Sequence, residues 1–85
     1  MATAIIQHRI EDFATWKPVY DAHEGRKQYS FQDRVLQMID DPNNVIVILD
    51  SDSADKLRNF LRSDDLKAAM RDAGVVGEPT IWLCA

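Results

Sequence analysis

His8 and His23 are the only histidines in this 85-residue chain, and imidazole is the side chain whose ordinary pKa lies nearest neutrality. Their sequence settings differ. Phe13, Trp16, Tyr20 and His23 recur at steps of three, four and three, which places them on one stripe of a helix. His8 alternates with Ile6 and Ile10 in a β-branched run, so these three share one face of a strand. If that face meets that stripe, His8, Trp16, Tyr20 and His23 converge on one small volume. Two imidazoles and a phenol in an apolar cleft would take a proton from a phenolic or enolic ligand, with His8 or His23 as the catalytic base. Trp16 and Trp82 would supply flat walls for an aromatic ligand, and Arg26 would neutralise an anionic one. The plainer alternative is a stripe of ordinary core, a hydrogen-bonded structural His8 and a capping His23. Arg26 then sits in solvent near the negative end of its helix dipole.

Other chemistries find little support. The two histidines stand 15 residues apart without a third ligand at a recognisable spacing, so no metal site is expected. Either imidazole could serve a haem as axial ligand, but nothing favours it, and no cofactor is expected. There is no glycine-rich phosphate loop, Gly-x-Ser-x-Gly elbow or Cys-x-x-Cys pair. Asp50, Asp52 and Asp55 lack the glycine and terminal glutamate of a calcium loop and read as helix-start charge. Fourteen acidic against ten basic residues give a net charge of -4, which argues against nucleic acid as a partner. The longest apolar run, 45–49, is too short to span a bilayer, and a secretion signal is absent. Cys84 has no second cysteine to pair with. A soluble, cytoplasmic protein follows as the expectation.

The elements that must position these groups follow one another along the chain. Residues 3–10 read as a strand, and a helix follows Asp12. Pro18 would cost roughly 3 kcal/mol deep in a helix, so the spacing predicts a short turn over 12–15 and a main helix from Trp16. Residues 31–39 alternate as a second strand, 40–44 form a turn by composition, and 45–49 is a third strand. Asp52 or Ser53 caps a helix carrying Ala54, Leu57 and Leu61; Ser63 recaps a second piece carrying Leu66 and Met70 that stops at Gly74. Residues 75–79 read as a connector into a last strand at 80–84. The order is βαββαβ, α+β in class, with helices on one face of a four-stranded antiparallel sheet. No linker or repeat interrupts it, so residues 1–85 are read as one domain.

The third and last strands are apolar on both faces, whereas a sheet with one wet face shows polar residues at alternate positions. Each uncovered aliphatic or aromatic side chain would cost about 1.5–3 kcal/mol relative to burial. Two sheets packed face to face about a two-fold axis remove that cost. A homodimer is therefore expected.

Three stretches carry a resemblance: Ile6-Gln7-His8-Arg9-Ile10-Glu11-Asp12-Phe13 through His23, Asp40-Asp41-Pro42-Asn43-Asn44-Val45, and Ser63-Asp64-Asp65-Leu66 through Pro79. In order and spanning most of the chain, they resemble the small dimeric α/β-barrel proteins of the antibiotic biosynthesis monooxygenase superfamily, especially short cyclase-like members. The resemblance implies a ferredoxin-like protomer, a barrel shared by two subunits and a pocket between sheet and helices. Its relatives include cofactor-independent oxygenases, cyclases, haem-degrading enzymes, lactone isomerases and proteins without known activity. Three functional readings stay open: an enzyme acting on a small aromatic or enolisable ligand, a non-catalytic ligand-binding or sensing dimer, and a structural protein. A cavity below about 100 Å³ would leave the third.

Overall fold

The computed structural model describes residues 1–23 and 32–85. Four strands and three helices follow in the order β1 (Ala2–Ile10), α1 (Phe13–Ala22), β2 (Gln32–Met38), β3 (Asp41–Ser51), α2 (Ala54–Leu61), α3 (Asp64–Asp72) and β4 (Val75–Cys84). The strands form one antiparallel sheet in the order β2-β3-β1-β4. With α2 and α3 as one helical crossover, this is the ferredoxin-like βαββαβ pattern.

The alternation in the sequence becomes two unlike sheet faces. Ala2, Ala4, Ile6, His8 and Ile10 of β1 are buried, as are Val45, Val47, Leu49 and Ser51 of β3. Trp16 of α1, Leu57 and Phe60 of α2 and Leu66 of α3 close over them and complete the core. The other face carries Ile5, Ile46 and Ile48, which are only half-buried. The pairing Ile5↔Trp82 and Leu36↔Ile46 adds Trp82 and Leu36 to that same face, where both are exposed.

Each helix start has a side-chain oxygen waiting for an orphan backbone N–H. Asp12 accepts from the Thr15 amide at 3.1 Å, Ser53 from Lys56 at 3.3 Å and Ser63 from Leu66 at 3.1 Å. Gly74 follows the last helix with φ of +81°, a left-handed turn that a side chain resists.

Three details correct the sequence reading. Helix α1 runs unbroken from Phe13, with Pro18 inside it. The missing N–H orphans the Ala14 carbonyl, but Ala14 is exposed and water can take its place. The turn after β2 is only Ile39-Asp40, because Met38 already pairs with Asp41 and the ladder then shifts register. Finally, 75–79 is the first half of β4, bulged against β1 between Gln7 and Arg9. Among the described residues no helix is long and apolar enough to cross a membrane.

Candidate functional site

The helical stripe meets the strand face, though less completely than the spacing suggested. Trp16 is the hub. Its ring stacks on Tyr20 at 4.9 Å and 19°, and lies 5.7 Å from Phe13 and 5.5 Å from His8. Trp16, Tyr20 and His23 line a recess of about 40 Å³ between α1 and α3, closed by Val19, Leu66, Ala69, Met70 and Ala73. His8 is not among its walls. It sits against the Trp16 ring on β1, a strand that contributes no residue to the recess.

The two imidazoles therefore have different chemistry. His8 is 5% exposed, and neither ring nitrogen has a hydrogen-bond partner. Burial without a partner disfavours the charged ring and lowers its pKa from 6.5 to about 4. His8 is thus neutral at physiological pH and a weak base. His23 follows the last residue of α1, and its backbone N–H bonds back to the Tyr20 carbonyl. Its Nε2 lies 2.8 Å from Asp65 Oδ2, at the start of α3, and its ring stacks 5.9 Å from Phe60. A carboxylate on one ring nitrogen fixes the orientation of an imidazole.

The spacing of residues along the chain could not reveal two further groups. The Tyr20 hydroxyl donates to Asp33 of β2, 13 residues away, and Asp65 is 42 residues from His23. Asp33 is opposite buried Leu49, so it belongs to the helix-covered face; the alternation around it was the available signal. Asp65 lies in the first turn of α3, where helix-start charge is the ordinary reading.

Trp82 is a correction to the expected site. It pairs with Ile5 rather than Ile6, so it stands across the sheet from Trp16 and lines a different surface. Arg26 lies outside the described residues. No group of three or more potential metal ligands occurs among the described residues.

At about 40 Å³ the recess falls below the limit of about 100 Å³ under which only a structural role was expected to stand, and by itself it would admit little more than a water molecule. It adjoins a surface groove of about 270 Å³ that shares Val19, His23 and Ala69 with it and adds Ala22, Asp65, Ala68 and Asp72. Only with this groove does the α1–α3 cleft approach the size of small-molecule sites, about 300 Å³ upward.

The comparisons agree on the architecture. No family model matches the chain, and no curated protein matches it. Solved structures do. An antibiotic biosynthesis monooxygenase superposes with a TM-score of 0.75 at 17% identity, covering 100% of this chain and 97% of that one. SnoaB, a cofactor-independent oxygenase from Streptomyces nogalater, gives 0.70 at 14%, covering 95% and 89%. A conserved protein from Methanosarcina mazei Go1 gives 0.71 at 13%, covering 98% and 90%. The chain thus has, over its whole length, the ferredoxin-like fold of the antibiotic biosynthesis monooxygenase structures. At these identities the likeness concerns the fold.

Proposed function

We propose that the protein is a homodimer whose α1–α3 cleft takes a small aromatic or enolisable molecule and removes a proton from it. The observation that carries this reading is the aromatic recess, with Trp16 and Tyr20 as stacked walls and His23 held at its rim by Asp65. His23 is the base in this scheme. His8 serves as a neutral group behind Trp16, because an imidazole with a pKa near 4 is a poor proton acceptor at neutrality.

Deprotonation of an acidic CH₂ leaves an electron-rich carbanion that can reduce dioxygen directly, without metal or flavin. In the net reaction the CH₂ becomes a carbonyl: the carbon loses two hydrogens and gains one oxygen atom. The second oxygen atom leaves with those hydrogens as water. SnoaB's description as a cofactor-independent oxygenase supports this choice over cyclisation or isomerisation.

The dimer rests on the uncovered sheet face, where Ile5, Ile46, Ile48, Leu36 and Trp82 lie together. A second copy would bury them, as two sheets packed face to face do. A cytoplasmic setting fits a chain with one unpaired cysteine.

The recess of about 40 Å³ is too small to hold a ligand by itself, and a second reading is binding without turnover in the adjoining groove of about 270 Å³. One experiment separates the two. The full chain is incubated with a panel of naphthols and hydroxyquinones while melting temperature and oxygen uptake are followed, and the compounds are then recovered. A compound that raises the melting temperature and drives oxygen uptake, lost in His23→Ala, supports the oxygenase. A stabilising compound recovered intact supports the binder. A panel with no stabilising compound overturns the pocket.

A further inference from the structure

Helix α3 sorts its charges by stripe. Asp65, Ala68, Ala69 and Asp72 line the groove beside α1. Lys67, Met70 and Arg71 form another stripe and line, with Gly74, a second groove of about 340 Å³. Glu11 and Val75 make the facing wall. Val75 pairs with buried Ile10, so this groove lies on the helix-covered side of the sheet, away from the face assigned to a second copy. It shares only Met70 with the α1–α3 recess.

The charges around this groove are not matched to one another. Lys67 and Arg71 stand four residues apart on α3, a like-charge spacing that costs a helix stability. Arg71 reaches only its neighbour Asp72, at 3.9 Å, and among the described residues the Lys67 and Glu11 side chains make no ion pair or hydrogen bond. Glu11 is held in place nonetheless. Its N–H donates to the Gly74 carbonyl at 3.0 Å, and its carboxylate lies over Gly74, where an added Cβ would stand 3.5 Å from Oε2. That is the C-terminal end of α3, where the helix dipole favours a cation and a carboxylate gains nothing. A cation at Glu11 together with an anion at Lys67 and Arg71 would answer all three groups.

We infer that this groove binds a free α-amino acid with an apolar side chain. Its ammonium meets Glu11, its carboxylate meets Lys67 and Arg71, and its side chain lies against Met70 and Val75. The volume is in the range of small-molecule sites, about 300 Å³ upward, and the unbranched Met70 thioether can mould to differing apolar shapes. Opposite charges on the two sides fix the direction of the ligand. A molecule with only a carboxylate meets a like charge at Glu11, and one with only an ammonium meets like charges at Lys67 and Arg71.

The test uses the full-length ¹⁵N-labelled chain at neutral pH and three probes. These are L-leucine, N-acetyl-L-leucine, which lacks the ammonium, and L-leucinamide, which lacks the carboxylate. Millimolar leucine is expected to shift the amides of Glu11, Met70 and Val75 saturably, and each analogue to bind about fivefold more weakly or not at all. Two substitutions then separate the ends. Glu11→Gln should weaken leucine about fivefold without weakening N-acetyl-leucine, and Lys67→Gln should weaken leucine about fivefold without weakening leucinamide. Both residues are exposed, so both variants should fold with the melting temperature of the parent. The inference is overturned if leucine leaves those three amides unmoved, or moves Val19 and Ala69 of the α1–α3 cleft instead. Equal binding of the three probes overturns it too, as does undiminished leucine binding by both variants.

Discussion

The two faces of the sheet are made from the same strands and have opposite fates. On the helix side, Ile6, Ile10, Val45, Val47 and Leu49 are buried under Trp16, Leu57, Phe60 and Leu66. On the other side Ile5, Ile46 and Ile48 remain half-buried and Trp82 is 48% exposed. Hydrophobicity alone therefore does not decide burial here; the position of the three helices does. The lesson is that the covered face should govern the stability of one chain, and the uncovered face its association.

The largest effect should come from the covered face. Phe60→Ala removes a ring that is 2% exposed and touches both α2's core side and His23, and is expected to cost about 3–5 kcal/mol. Denaturant unfolding would show it as a fall in midpoint. For an 85-residue domain that is a large share of the total. A loss below about 1 kcal/mol would mean that α2 does not seal the covered face.

Next comes the polar exception on that face. The unfolded chain protonates His8 near pH 6.5, whereas the buried ring resists until about pH 4. Above 6.5 both states are neutral and His8 adds no pH dependence. As the pH falls from 6.5 to 4, the unfolded state gains a proton that the folded state refuses, so stability drops by roughly 3 kcal/mol and then levels off. His8→Leu should abolish that slope. Unfolding curves collected across this window measure it, and an unchanged slope in the variant would show that burial of His8 is not its source.

A smaller effect on the single chain is expected from Trp82→Ala on the uncovered face. A half-exposed side chain should contribute about 1 kcal/mol or less to folding, yet a central aromatic at an interface commonly dominates association. Sedimentation at micromolar concentration should give the mass of two chains for the parent and of one for the variant. A parent that sediments as one folded chain would end the dimer proposal.

Much of the fold was readable, for a physical reason. In β1 one side alternates Ile6, His8, Ile10 against Gln7 and Arg9, so the pattern has a phase and the phase names the buried face. Ser53, Ser63 and Gly74 announce helix ends through local hydrogen-bonding chemistry. The last strand has no such phase. Ile81, Trp82 and Leu83 are apolar on both sides, and only the register with β1 assigns Trp82 to the uncovered face. Similarly, Gly77 and Pro79 look like a connector because they break a ladder, yet here they break it in mid-strand. The site was half legible. Trp16, Tyr20 and His23 share a helical stripe and do share a recess, while Asp33 meets Tyr20 and Asp65 meets His23 through space, which periodicity within one element does not encode.

The smallest expected effect on stability comes from the His23–Asp65 pair and tests whether the cleft is more than core. Asp65 is 68% exposed and His23 12% exposed in their contact, so solvent screens much of the interaction. Asp65→Asn keeps the size and a hydrogen-bonding oxygen while removing the charge, and should change stability by no more than about 0.5 kcal/mol. Thermal unfolding would measure this. Its effect on function should be out of proportion, because the carboxylate orients His23 at the rim of the recess. With a compound from the naphthol panel that is turned over, oxygen uptake should fall about tenfold or more, with ligand-induced stabilisation little changed. Equal loss of binding and turnover would assign Asp65 to ligand contact. Full activity in Asp65→Asn would show that turnover does not depend on the Asp65 charge at His23, and this account of the base would fall.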